Sequence, residues 1–199
     1  MRAVLAVCLL AVVVAGSAAA AAAGPKEQLK AAIDRVLLIL NDRALKGPVR
    51  AAERHAAIRR VADEIFDFEE TARRALARHW RPLSAAQQAE FVEVFSDLLE
   101  RVYMSKIELY SGEKIQYPGE RVEGDFAIVS TRFVTKTGTE VPIDYRMRKR
   151  GERWRIYDVS IEGVSLVANY RTQFDSVLRT ASYEELLARM RSRAEETRP

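Results

Sequence analysis

The sequence predicts an α+β fold in which a curved four-stranded antiparallel sheet packs against a helical layer and encloses an apolar pocket. Apolar residues recur at helical spacing as far as about residue 110. Short segments rich in β-branched and aromatic residues then follow, joined by tight turns. The last of them, Trp154–Ile161, leads past Gly163 into another amphipathic segment. Strands that follow one another in this way form an antiparallel meander, and helices grouped outside it make an α+β domain.

Four amphipathic helices are predicted before the sheet and two after it. Asp67 and Ser84 are expected to begin two of them, because Glu70 and Gln87 follow at the capping-box spacing. Ser165 is expected to cap the first helix after the sheet, since its hydroxyl can accept an orphan backbone N–H. The predicted helices cover residues 26–44, 49–66, 67–79, 84–110, 165–178 and 182–193.

The predicted strands cover residues 114–122, 126–136, 140–150 and 154–161. Pro118 lacks the N–H that a central strand needs, so the first strand is expected at an edge. Arg132 does not suit a dry interior, which assigns its neighbours Thr131 and Phe133 to the covered face of the second strand. The last strand carries apolar residues on both faces, so its orientation stays open. The third strand has one apolar face, which consists of Val141, Ile143, Tyr145 and Met147.

The first 23 residues have the pattern of a cleaved secretory signal peptide. Arg2 supplies a positive charge, residues 3–16 are apolar, and residues 17–23 are small with several A-x-A cleavage positions. Cys8 lies within the apolar stretch rather than after it, so lipid attachment is not expected. We therefore predict a signal peptide over residues 1–23, an exported periplasmic protein, and a single domain over residues 24–199.

The charge and motif content exclude several function classes. Formal net charge is +4, with 32 basic and 28 acidic residues interleaved along the helices, as on an ordinary solvated surface. The sequence contains no phosphate-binding loop, no glycine motif for dinucleotides and no G-x-S-x-G elbow. Its two histidines, His55 and His79, lack metal-ligand spacing. No cofactor, metal or nucleic-acid partner is expected.

Tyr157 and Asp158 are the one adjacent pair suited to acid–base chemistry. Inside a cone-shaped pocket, such a pair resembles the sites of small isomerases. In the other interpretation, Tyr157 packs while Asp158 accepts hydrogen bonds or pairs with an arginine. The sequence favours the structural role and leaves a small-molecule enzyme as the alternative.

A basic run, residues 146–155, spans the turn between the third and fourth strands. One interpretation is a solvated hairpin tip whose charges discourage edge-to-edge aggregation. The other is a docking surface for an acidic protein or anionic head groups. The candidate docking residues are Arg148, Lys149 and Arg150.

Four strings together resemble the MlaC-type proteins, also known as the toluene-tolerance family. Each string alone is weakly specific, but together they are specific, and the resemblance covers essentially the whole predicted mature domain. They are F-D-F-E-E-T-A-R-R-A-L-A-R-H-W at residues 66–80, Y-S-G-E-K at 110–114, V-T-K-T-G-T-E-V-P-I-D-Y at 134–145 and W-R-I-Y-D-V-S-I-E-G-V-S-L-V-A-N-Y-R at 154–171.

The resemblance implies a soluble periplasmic carrier rather than an enzyme. Such a carrier takes phospholipid between an outer-membrane lipoprotein complex and an inner-membrane ABC transporter, and so supports outer-membrane lipid asymmetry. A related branch belongs to hopanoid-producing bacteria, so a hopanoid-type lipid stays open as an alternative ligand. The protein is expected to be a monomer.

A lipid carrier needs a deep apolar cavity, because a two-chain lipid in water exposes about thirty methylenes at about 0.8 kcal/mol each. We expect the long fourth helix, the sheet and the segment after it to supply the lining. In the alternative interpretation, the same side chains fill a solid core. The expected lining residues are Phe95, Leu98, Leu99, Val102, Tyr103, Val129, Phe133, Val141, Ile143, Tyr145, Val164, Leu166, Val167 and Tyr170.

Overall fold

The computed structural model describes residues 23–196, so the predicted leader lies outside the described residues except for Ala23. The predicted helices are confirmed, with ends that move by a few residues. Within the described part of the chain, no helix combines the length and hydrophobicity needed to cross a bilayer. The helices are α1 (Pro25–Asn41), α2 (Ala51–Ile65), α3 (Phe68–Leu76), α4 (Ala85–Glu108), α5 (Leu166–Leu178) and α6 (Tyr183–Glu196).

Side chains cap the N-termini of α3, α4 and α5 at the predicted positions. Ser84 Oγ accepts the Gln87 N–H at 3.2 Å, and Gln87 Oε1 accepts the Ser84 N–H at 3.0 Å, which completes the predicted capping box. Asp67 accepts the Glu70 N–H at 3.0 Å. The Glu70 carboxylate, however, binds arginines, so the reciprocal half of that predicted box is wrong. Ser165 accepts a backbone N–H of α5 at 3.0 Å and is the predicted cap.

The strands form one antiparallel sheet in the order β1-β2-β3-β4-β5, which confirms the meander and adds a fifth strand to the predicted four. The added strand has two residues and folds back on β4. The turn before it has φ 51° at Glu162 and φ 82° at Gly163, the left-handed values that a tight two-residue hairpin needs. The strands are β1 (Lys114–Glu123), β2 (Phe126–Val134), β3 (Glu140–Arg150), β4 (Arg153–Ile161) and β5 (Val164–Ser165).

β1 occupies the edge of the sheet, as Pro118 predicts. Its pairing with β2 shifts between Gln116 and Gly119, on either side of that proline. The predicted orientation of β2 is also confirmed, because Arg132 is exposed while alternate residues are buried. The buried residues of β2 are Ala127, Val129 and Thr131.

A bulge at Tyr157 settles the orientation of β4 that the sequence left open. The pairing of β3 with β4 shifts by one residue there, which reverses the inside–outside alternation. Ile156 before the bulge and Val159 after it therefore lie on the same, inner face. Carbonyls at the bulge have partners: Asp67 donates its N–H to Ile156 O at 2.8 Å, and Thr71 Oγ1 donates to Tyr157 O at 3.1 Å.

The buried apolar residues form two separate cores. One lies among α3, α4, α5 and α6, where aromatic rings pack with centroids between 5.0 and 5.7 Å apart. The other lies between α1 and the inner face of the sheet. The aromatic cluster consists of Phe91, Phe95, Tyr170 and Phe174, and the second core of Leu29, Ala127, Val129, Met147, Trp154 and Ile156.

Candidate functional site

A large apolar cavity lies between α1, α2 and α4 on one side and the inner face of the sheet on the other. Its volume is about 610 Å³, within the range of about 300–1,000 Å³ that is typical of small-molecule sites. The sheet forms its floor, and α1 and α2 cover it. Its apolar lining includes Ile33, Val36 and Leu40 of α1, Ile58 and Ile65 of α2, and Ile115, Val141, Ile143 and Ile161 of the sheet.

The first two helices turn their apolar stripes toward this cavity. Leu29, in the second turn of α1, is buried against the sheet core. Val36 and Leu40 lie further along the same stripe and are only half-buried, because the cavity and not another element lies beneath them. Along the cavity, the cover therefore leaves apolar surface without protein contacts.

α2 and α4 meet along the cavity wall through charged side chains. Arg59 pairs with Glu100, and both residues contribute to the lining. Arg54 and His55 both bind Glu108, with 2.9 Å between His55 Nε2 and Glu108 Oε1. Burial disfavours the charged form of Glu108, but the hydrogen bonds from these two partners lower its pKa overall. These charged side chains are thus paired with one another along the wall.

Two tyrosines add polar atoms to the lining without adding charge. Burial raises the pKa of Tyr103 to about 12 and that of Tyr145 to about 12. Both phenols therefore stay neutral near pH 7, and the floor and wall that they contribute remain compatible with an apolar ligand.

The cavity opens near the C-terminus of α4. Lys106 and Leu109 line the cavity and are also exposed, Leu109 to 78%. Leu99, which also lines it, lies about 15 Å deeper at the helical rise of about 1.5 Å per residue. The cavity is thus deep and apolar, with water at one end.

The MlaC protein family matches this sequence over residues 30–192. That range holds α1 from residue 30 onward and every other element of the cavity wall. The chain belongs to the MlaC family. The resemblance predicted from the four sequence strings is confirmed.

Two proteins similar to this chain are described as phospholipid-transport or phospholipid-binding proteins. The intermembrane phospholipid transport system binding protein MlaC of Haemophilus influenzae is 24% identical over 133 residues, which are 64% of this chain and 62% of that protein. The chain thus matches a little under two thirds of that relative's length. The phospholipid-binding protein of Ralstonia solanacearum, solved in complex with a phospholipid, is 25% identical, with a TM-score of 0.75 over 88% of this chain and 99% of that chain.

The MlaC-type pocket residues expected from the sequence divide into three groups. The first group lines the large cavity, partly on α4, partly on the sheet floor and partly at the start of α5. These residues are Leu99, Tyr103, Phe133, Val141, Ile143, Tyr145 and Leu166.

The second group packs in the two cores instead of lining the large cavity. α4 is apolar on two faces, and the face that meets α5 and α6 is filled by protein side chains. Val129 of β2 is likewise covered in the sheet core. The residues of α4 and α5 that pack in or against the helical core are Phe95, Leu98, Val102 and Tyr170.

The third group lies at the start of α5. Val167 is buried beside a separate, smaller cavity. Val164, in the short strand β5, is 58% exposed and lines neither cavity. The two-residue hairpin before β5 turns Val164 outward.

The cover helices supply lining residues that the sequence analysis did not assign to the site. Their apolar stripes were visible as helical periodicity, but a stripe of this kind equally predicts packing against a filled core. Val159 and Ile161 of β4 were also missed, because the bulge at Tyr157 decides their direction.

Tyr157 and Asp158 have structural partners. Asp158 Oδ2 accepts a hydrogen bond from Ser165 Oγ at 2.6 Å, and Oδ1 accepts the Val167 N–H at 3.1 Å, so this carboxylate holds the start of α5. The ring of Tyr157 lies under the Arg74 guanidinium, 4.1 Å from its carbon to the ring centroid. Neither side chain lines the large cavity.

Two of the three candidate docking residues in the basic hairpin form ion pairs. Arg148 pairs with Glu70 at 2.9 Å, and Arg150 pairs with Asp67 at 2.9 Å, both at the start of α3. Lys149 is exposed and forms no ion pair with any residue between positions 23 and 196. Of the three residues expected to dock a partner, Lys149 is therefore the one available for it.

Proposed function

We propose that this protein is a periplasmic carrier that holds phospholipid acyl chains in the large cavity. It would shuttle lipid between the outer membrane and an inner-membrane ABC transporter. The observation that carries the proposal is the apolar cavity of about 610 Å³ between the cover helices and the sheet. Membership of the MlaC family and the phospholipid-bound neighbour of similar fold support it.

The energetics favour acyl chains as the ligand. Each methylene taken out of water gains about 0.8 kcal/mol, so the chains of one phospholipid gain on the order of 24 kcal/mol in a dry cavity. The apolar surface of Val36, Leu40 and Ile143 has no protein partner along the cavity and would be covered by the chains. The phosphate stays near the opening at Lys106 and Leu109, because burying an unpaired phosphate is costly.

The partners follow from what the chain has to do. The sequence contains no nucleotide-binding motif, so a partner complex would supply the energy for directional transport. Export by the leader over residues 1–23 would leave the domain over residues 24–199 in the periplasm, acting as a monomer. Lys149, at the exposed hairpin, would contribute to docking on an acidic partner or on anionic head groups. No step of this function needs a catalytic group.

The test is to isolate the protein from the periplasm under mild conditions and identify bound lipid by native mass spectrometry and extraction. We expect phospholipid at up to one molecule per protein. Ile143→Glu should remove it while the fold survives, because a charge on the floor of an apolar cavity costs several kcal/mol unless it is paired.

Glu152→Gln, at an exposed hairpin turn away from the lining, is the matched control and should keep its lipid. A hopanoid in place of phospholipid would assign the carrier to the other lipid class. Wild-type protein without any bound amphiphile, or Ile143→Glu with its lipid intact, would contradict the proposal.

A further inference from the structure

A second cavity, of about 30 Å³, lies directly behind the inner end of the large one. The two cavities share a wall, because the same four side chains line both of them. On its far side, the small cavity meets the aromatic residues of the helical core. The shared wall consists of Phe66, Leu99, Val159 and Leu166.

The small cavity suits a hydrocarbon better than water. The surface that lines it is apolar, and two of its polar neighbours have protein partners: Thr71 Oγ1 donates to Tyr157 O, and the Asp158 carboxylate accepts hydrogen bonds from Ser165 and Val167. A water molecule needs two to four polar partners to be stable in an interior, and apolar cavities stay dry. The space behind the wall can therefore take methyl or methylene groups.

The wall stands where the ends of acyl chains would lie. A phosphate held at the opening near Lys106 and Leu109 directs the chains inward along α4. Leu99 is about 15 Å deeper on the same helix, and Leu166 faces the same inner end. Both leucines are only half-buried although they lie inside the protein, because part of their surface faces the cavities.

We propose that Leu166, together with Leu99, sets the length of the acyl chains that the cavity accepts. The inference rests on the proposed carrier function and adds to it a preference within the phospholipid class. Leu166 is the first residue of α5, whose start is fixed by the Ser165 cap and by Asp158. The wall cannot retreat without unwinding that turn. A shorter side chain at position 166 joins the two cavities, and a larger one fills the small cavity.

The experiment compares Leu166→Ala, Leu166→Phe and the matched control Leu178→Ala with the wild type. Leu178 is the last residue of α5, is also half-buried, and packs against the helical core away from both cavities. Each delipidated protein is incubated with vesicles of equal parts dipalmitoleoyl- and dioleoyl-phosphatidylglycerol. Native mass spectrometry then measures the ratio of the longer to the shorter bound lipid.

Leu166→Ala should raise this ratio, by about fourfold for each additional methylene that the joined cavity covers. Leu166→Phe should lower it, and Leu178→Ala should leave it at the wild-type value. Unchanged ratios in both Leu166 variants, with lipid still bound, would overturn the inference. An equal rise in Leu178→Ala would overturn it too, because it would report general loosening. If the wild type binds neither lipid, the carrier function itself fails, which separates the two outcomes.

Discussion

Asp158 is a buried carboxylate with three partners: Ser165 Oγ, the Val167 N–H and Arg146, whose Nε lies 3.9 Å from Oδ2. It is 7% exposed, and both of its oxygens accept hydrogen bonds from the first residues of α5 and its cap. The N-terminus of a helix also favours a negative charge. Because both oxygens are engaged in this way, the carboxylate is not directed at a ligand.

Asp158→Asn should lower the free energy of unfolding by about 1–2 kcal/mol, because an amide nitrogen cannot accept the hydrogen bond that the second oxygen accepts. The lipid-to-protein ratio should not change. Denaturant unfolding and lipid extraction measure the two effects. Asp144→Asn is the control, since Asp144 accepts a single hydroxyl hydrogen bond, from Ser130 at 2.6 Å. Loss of an enzymatic turnover in Asp158→Asn, at unchanged stability, would contradict the structural role.

At the scale of elements, the hairpin of β3 and β4 separates charge from cavity. Val141, near the start of β3, lines the cavity, whereas Arg148 lies near its other end. The cavity lining reaches along the hairpin as far as Ile156, which pairs with Met147, and includes no residue from Arg148 to Arg155. Lys149, at the exposed end of the hairpin, can therefore meet a partner surface without touching the bound chains.

Lys149→Glu should slow the transfer of lipid from the loaded protein to vesicles that contain phosphatidylglycerol, most clearly at low salt, because exposed charges mainly change the rate of encounter. The amount of bound lipid should stay the same. A fluorescent-lipid transfer assay at low and high salt measures the rate.

Lys136→Glu makes the same charge change at the turn between β2 and β3, at the opposite end of the sheet, and is the control. Equal slowing in both variants would assign the effect to net charge. Unchanged transfer in Lys149→Glu would remove the hairpin from docking.

At the scale of the whole molecule, the cavity keeps two cores apart, and buried polar contacts join them. Glu70 of α3 is 3% exposed and binds Arg73 and Arg74 of its own helix and Arg148 of β3. Burial disfavours its charged form, but the hydrogen bonds from the two α3 arginines lower its pKa from 4.5 to about 2. Its ionisation is therefore linked to folding.

The lowered pKa of Glu70 predicts that acid destabilises the fold. A carboxylate with a lowered pKa in the folded state stabilises the fold fully above about pH 4.5, and this stabilisation is lost as pH falls toward about 2. Glu70→Gln should lower the free energy of unfolding by about 1.5–3 kcal/mol at pH 7, because it removes hydrogen bonds to charged groups. The loss is no larger because the partly exposed arginines can turn to water. The substitution should also flatten the loss of stability between these pH values. Glu69→Gln, at an exposed position on the same helix, is the control. Unfolding curves at several pH values give the slope of the free energy of unfolding against pH. The linkage would be contradicted if both variants kept the wild-type slope.

Local patterns were enough to predict the elements and their order. Periodicity marked the helices, and the capping residues Ser84 and Ser165 placed two helix starts to within a residue. The buried face of a strand could also be predicted where the other face carries a charge, as at Arg132 in β2. The fifth strand and the direction of β4 escaped prediction, because both depend on a turn and a bulge whose geometry emerges only when strands pair.

The sequence by itself determined the α+β meander, the apolar stripes and the family, because these depend on periodicity, turns and local strings. Only the tertiary structure decided which stripes meet protein and which meet empty space. Leu98 and Leu99 are adjacent on α4, yet the first packs in the helical core and the second lines the cavity. Both are equally apolar, so the hydrophobic effect alone predicts burial for each. What separates them is the direction of the side chain relative to α1, α2 and the sheet, which residues far apart in the chain establish together.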